Sequence, residues 1–160
     1  MNQSAVLDAD SAAFLALGCS INAGAYGADR IPVTARCCGC NVTPDRTALT
    51  VFLSSRQGAA VVRAVRDNGA IAVVFSQPST HRTLQIKGRD ALVVLPEPED
   101  LDRVARYRHA FGEELRACGY DPLLAHTILS HPPADIVGLR FSPSEVYLQT
   151  PGPKAGERLY

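Results

Sequence analysis

The spacing of apolar residues along the chain changes period several times, and each change marks a predicted element. Residues 6–17 read as a short helix, with Gly18 placed to stop it. Residues 19–27, CSINAGAYG, read as a strand running into a glycine-containing turn that GADR completes. Residues 31–42 read as a second strand, followed by the turn TPDR. Residues 47–53, TALTVFL, read as a third strand, rich in β-branched and aromatic residues. Short connections between such segments predict an antiparallel meander.

The pattern then turns helical. Ala60, Val61, Ala64 and Val65 fall on one face of residues 54–69, with Ser54 or Ser55 as the N-terminal cap and Asn68-Gly69 as the stop. Residues 70–76 read as a buried strand and residues 82–95 as a long one. In the long strand Leu84 and Ile86 point one way and Thr83, Gln85 and Lys87 the other, and Gly88 marks a bulge or bend. PEPED places acids at the positive end of the next helix. Leu101, Val104, Tyr107, Phe111, Leu115 and Cys118 line one face of that helix. A shorter helix follows in DPLLAHTILSH, and the end of the chain reads as a last strand or two. Six or seven strands and three or four helices, with one helix inserted in the middle, predict a mainly β protein. The expected form is an antiparallel barrel, closed or nearly so, decorated by helices.

Length and composition narrow the class. The chain has 160 residues, the size expected of one domain spanning 1–160. Lys and Arg equal Asp and Glu at 16 each, which argues against a general nucleic-acid binder with a net basic footprint. No apolar run reaches the roughly 18 residues that suggest a membrane span. No basic start precedes LALGCS, where Asp8 and Asp10 interrupt what a lipoprotein signal would need to be apolar. Five cysteines, an odd number, fit reduced thiols in the cytoplasm.

Two polar segments flank the strand at 70–76. Before it stand Ser54, Ser55, Arg56 and Gln57 at an expected helix start. Free N–H groups and the helix dipole favour an anion there, and Arg56 adds a charged fork of donors. After it comes FSQPSTHRTLQIKG, with more hydrogen-bonding side chains than a turn requires. A phosphate at the helix start and a polar heterocycle along Thr83, Gln85 and Lys87 would account for both segments. A solvated helix start and an exposed strand face would account for them equally. RCCGC, with Cys37, Cys38 and Cys40, lacks the paired spacing of a zinc site, so no metal is expected. His81 lies in the polar stretch; His109, His126 and His131 have no ligand-like spacing.

The order of these segments, with SRQ before the helix and RTLQIKG after the strand, resembles the pyridoxamine 5′-phosphate oxidase-like proteins. These are the FMN-binding split β-barrels. The resemblance runs from about residue 18 to Leu95 and returns at QTPGPKAG, a tail associated with one bacterial branch of uncharacterised members. It implies an antiparallel split barrel with an inserted helix and a C-terminal helical segment, and a homodimer with FMN at the subunit interface. By matching position, Ser55, Arg56 and Gln57, beside Ser54, fall on the phosphate contacts. Arg36 approaches the flavin, and Arg82, Thr83, Gln85 and Lys87 belong to the strand that lines it. Gln85 or a strand N–H would meet the ring edge.

Departures from the oxidases are specific. Thr83 stands where they have Gln, Gln85 where they have Arg, and Lys87 where they have an acid, and their substrate-gripping C-terminal segment is not found. The resemblance therefore implies an FMN-dependent oxidoreductase of unknown substrate. The alternative is a non-catalytic module for flavin, haem or a deazaflavin.

Overall fold

The computed structural model describes residues 7–160. Its helices are α1 (Ala9–Leu15), α2 (Ala59–Asn68), α3 (Pro98–Ala117) and α4 (Leu123–Leu129). Its strands are β1 (Ser20–Tyr26), β2 (Pro32–Arg36), β3 (Gly39–Val42), β4 (Leu49–Ser54), β5 (Ile71–Ser76), β6 (Thr83–Gly88), β7 (Leu92–Val94), β8 (Ile136–Phe141) and β9 (Glu145–Leu148). The strands form two antiparallel sheets, ordered β2-β1-β5-β6-β9 and β3-β4-β8-β7. This is the expected split barrel with a helix between strands and helices toward the C-terminus, but with more strands than the six or seven expected.

The extra strands arise where two expected strands each break and cross to the other sheet. Residues 31–42 are not one strand but β2 and β3, in different sheets. The Cys37 N–H donates to Ile21 O (2.9 Å) in the first sheet, while the next N–H, of Cys38, donates to Phe52 O (2.7 Å) in the second. Consecutive peptide groups thus bind different sheets, and the single strand expected over residues 31–42 is broken by a corner at Cys37-Cys38. Residues 82–95 likewise divide into β6 and β7. The expected bend at Gly88 is where the chain leaves the first sheet: Gly88 pairs with Ile71, and Leu92 already pairs with Arg140. A Cβ at Gly88 would lie 2.3 Å from Phe141 Cδ2, so the missing side chain lets a ring of the second sheet close the corner.

Burial follows strand parity. Ile21 and Ala23 in β1, Val73 and Phe75 in β5, Leu84 and Ile86 in β6, and Val146 in β9 face inward. They meet Leu49, Val51, Phe52, Leu53, Leu139 and Phe141 of the second sheet in one core. β4 is buried along its whole length, as a central strand covered on both faces should be.

The helices differ from expectation at their ends. α1 begins after Asp8, whose carboxylate caps the Ser11 N–H (2.6 Å); Val6 lies outside the described residues. α2 starts at Ala59 rather than at the serines, because residues 54–58 form a separate tight turn. It ends at Gly69 with φ 70°, as expected. In α3, Glu97 and Asp100 form a reciprocal capping box around Pro98. Val104, Tyr107 and Phe111 are buried, but Cys118 is exposed, since it caps the helix beyond its packed face. No helix among the described residues is long and apolar enough to cross a membrane.

Candidate functional site

The pairing registers lay out the outer face of the five-stranded sheet row by row. Arg36, Asn22, Val74, Gln85 and Tyr147 form one row across all five strands. Thr34, Gly24, Ala72, Lys87 and Glu145 form the next. Ser20, Ser76 and Thr83 stand in a row on the other side. Rows two residues apart are separated by about 7 Å along the strands, so these three span about 14 Å. The middle of the face carries Gly24 and Ala72, and above them lies an open hollow of about 340 Å³. Tyr26, Pro32, Lys87, Arg89 and Glu145 line it as well. A floor of small residues edged by Lys87, Arg89 and Glu145, with the Gln85 amide one row away, suits a planar, polar-rimmed heterocycle.

At the hollow's edge, Lys87 Nζ lies 4.7 Å from the centre of the Tyr147 ring. The Tyr147 hydroxyl donates to Glu145, and Arg89 pairs with the same carboxylate (3.3 Å). Those hydrogen bonds, the tyrosine's first, hold the Glu145 carboxyl below its ordinary range. Arg36 lies outside the hollow, on the edge strand β2 in the Asn22 row, its Nη1 donating to Ser20 Oγ (3.1 Å). Of the residues singled out from sequence, Arg36, Thr83, Gln85 and Lys87 share this outer face.

Arg82 does not. It precedes the first β6 residue and so has the opposite parity. Its guanidinium pairs with Asp10 and stacks 4.4 Å above the Phe14 ring, tying β6 to α1. Thr83 is nearly buried, and its hydroxyl is shared with Ser76 Oγ (2.8 Å) and His81 O (2.9 Å). Much of the polar excess in residues 75–88 is likewise accounted for inside the protein. Glu114 of α3 accepts from Gln77 Nε2 (2.8 Å) and from the Ser79 N–H (3.1 Å), and Thr80 Oγ1 donates to Gln77 (2.8 Å). His81 is exposed, with φ 62° in the tip of the loop. The segment is a hairpin clamped to two helices, and only its strand half faces outward.

The turn at 54–57 holds an anion already. Asp135, in the short 3-10 turn Pro133–Asp135, accepts from Ser54 Oγ and from Ser55 Oγ (2.7 Å). The Arg56 N–H donates to the same carboxylate (3.2 Å), and Arg56 Nε lies 3.7 Å away. The Ser55 N–H donates to Asp135 O (2.7 Å). Hydrogen bonds from Ser54, then Ser55, hold the Asp135 carboxyl below the usual aspartate range. Ser54 is 2% exposed and its oxygen also accepts from the Gln57 N–H (3.1 Å). The outer part of the Arg56 guanidinium and the Gln57 amide face solvent. Sequence reasoning identified the donors and missed Asp135, which lies 81 positions from Ser54. Its only local signal is an acid beside PPA at a strand start.

Near this turn the Cys37-Cys38 corner packs against the end of β4. Burial pushes the thiols of Cys19, Cys38 and Cys40 up to about 12, and that of Cys37 higher still. At neutral pH they are protonated small apolar groups rather than nucleophiles. A larger cavity, about 520 Å³, lies between α1, β3 and α3, with Cys40, Arg46, Arg103, Arg106 and Tyr107 among its walls; none of the residues expected to hold a cofactor lines it.

Compared by sequence, the chain matches no protein-family model and no curated protein. Compared by structure, it shares its fold with several solved proteins. HupZ of Group A Streptococcus superposes with a TM-score of 0.57 at 13% identity, covering 94% of this chain and 100% of that one. An F420 reductase superposes at 0.51 and 16% identity, covering 84% and 93%. A candidate pyridoxamine 5′-phosphate oxidase from Lactobacillus delbrueckii superposes at 0.52 and 12% identity, covering 89% and 93%. At these identities the likeness is one of fold, and the fold is the split barrel that the sequence resemblance implied.

Proposed function

We propose that this protein binds FMN on the outer face of its five-stranded sheet and acts as an FMN-dependent oxidoreductase. The observation that carries the reading is the hollow over Gly24 and Ala72, with Gln85, Lys87 and Arg36 on the surrounding rows. Bound FMN supplies hydride or electron transfer; the protein supplies position and electrostatics. Gln85 presents an amide to a ring edge. Lys87, on the wall of the hollow, would add positive charge beside a ring held there. Arg36, in the Asn22 row of the same face, is the cation offered to the phosphate, and Arg56 and Gln57 are the donors that the sequence resemblance assigns to it.

The same face is open in one chain, and a second copy laid against it would exclude water from a ring held there. We therefore infer a homodimer that closes the site, in a reducing cytoplasm that leaves the cysteines as thiols. Fold alone does not choose the chemistry. The structural neighbours include a candidate pyridoxamine 5′-phosphate oxidase and an F420 reductase, so a deazaflavin is the competing cofactor.

The test is the visible spectrum of the purified protein, followed by the mass of whatever acid releases. Flavin bands with the mass of FMN, or saturable FMN binding lost in Lys87→Glu with Gln85→Ala, support the reading. Absence of both bound and added FMN overturns it. A deazaflavin mass or a haem band moves the function to the alternative module.

A further inference from the structure

Four donors converge at the head of the α2 connection: two serine hydroxyls, one backbone N–H and one guanidinium nitrogen. All four meet the carboxylate of Asp135. Such a set, which a free anion would need, is complete without one. The Ser54 hydroxyl is buried and cannot turn to solvent for another partner. A phosphate entering here would displace Asp135 or sit against its negative charge, and like charges within a few ångströms repel strongly where water is scarce.

We infer that Asp135 is a built-in occupant of the anion seat in the 54–57 turn, and that it makes the protein nearly indifferent to the phosphate of its flavin. This rests on the proposed flavin site and adds a specificity determinant to it. The ring would be recognised on the sheet face, while the phosphate meets only exposed cations, Arg36 and the outer guanidinium of Arg56. Exposed ion pairs are screened and contribute little. FMN and riboflavin should therefore bind with similar affinity. Removing the carboxylate should restore phosphate reading without changing how the ring is held.

The experiment uses the full chain, native and as Asp135→Asn and Asp135→Ala. FMN and riboflavin affinities are measured for each by fluorescence titration. The expected ratio is within about threefold for the native protein, rising about tenfold or more in Asp135→Ala, an effect that corresponds to roughly 1.4 kcal/mol. A second measurement does not depend on flavin or on high stability of the variants. Melting is followed in inorganic phosphate and in chloride at equal ionic strength. Phosphate should raise the midpoint of both variants more than that of the native protein, because a ligand bound only by the folded state stabilises it. A marginally folded variant still reports this shift.

A native protein that prefers FMN by about 100-fold, or variants whose ratio and phosphate shift match the native values, would overturn the inference. If no flavin binds to any of the proteins, the proposed function falls. The phosphate shift alone then decides whether Asp135 occupies an anion seat.

Discussion

Gly24 separates the fold from the proposed site in a single substitution. It lies in the middle of β1, where glycine weakens a strand by roughly 0.5–1 kcal/mol relative to alanine. A Cβ built there would meet Ala72 O at 3.7 Å, Val33 O at 3.8 Å and Thr34 Cγ2 at 3.9 Å, all ordinary contacts. Nothing in the chain itself requires glycine, so Gly24→Val should fold and gain about 1 kcal/mol, raising Tm by about 2–4 °C. The two added methyls would stand on the floor of the hollow, where a flat ring must approach the backbone. Overfilling a rigid contact costs about 1–3 kcal/mol, so FMN affinity should fall roughly 5- to 150-fold. Calorimetry and FMN fluorescence titration on the same preparation read both effects, and sedimentation reports whether association is also lost. A raised Tm with FMN affinity within about twofold of native would remove the flavin from this face. A lowered Tm would refute the reading of Gly24 as free of internal constraint.

Other expectations follow from single contacts. Gly88→Ala puts a Cβ 2.3 Å from Phe141 Cδ2, a ring that is 2% exposed, and should cost about 1–3 kcal/mol in urea unfolding; no loss would mean the corner is loose. In the folded protein iodoacetamide should label Cys118 rapidly, half-buried Cys40 slowly because its thiol is protonated, and leave Cys19, Cys37 and Cys38, which are buried and protonated, unmodified. Mass spectrometry showing equal labelling would contradict that burial. Tyr107→Phe removes the buried hydroxyl that donates to Cys19 O, at a cost of about 1–2 kcal/mol in the same unfolding assay; a neutral result would mean water replaces the hydroxyl. Asp135 has a lowered folded pKa, so its contribution to stability is complete above the ordinary 3.8 and fades as pH falls through the folded value. The stability gap between native protein and Asp135→Asn should therefore close below about pH 4, and a gap that widens on acidification would reverse the sign.

Features with local causes were legible in the chain alone. The order of helices and strands, the αL stop at Gly69, the capping acids ahead of α3 and the alternation of Leu84 and Ile86 with Gln85 and Lys87 depend on neighbours within a few residues. Period and cap chemistry report such neighbours directly. The outward row of Gln85 and Lys87 was legible for that reason. The tertiary structure decided where a continuous apolar run breaks to join a second sheet, at residues 37–38 and again after Gly88. Those breaks depend on which distant strand offers hydrogen bonds, and a single chain pattern does not record it. It also decided what the polar residues touch. Arg82 turns inward to Asp10 and Phe14, Gln77 and Ser79 are held by Glu114, and the 54–57 turn encloses Asp135. Each partner is remote in sequence, so the donors could be read as a ligand cradle until the fold supplied the acid that fills it.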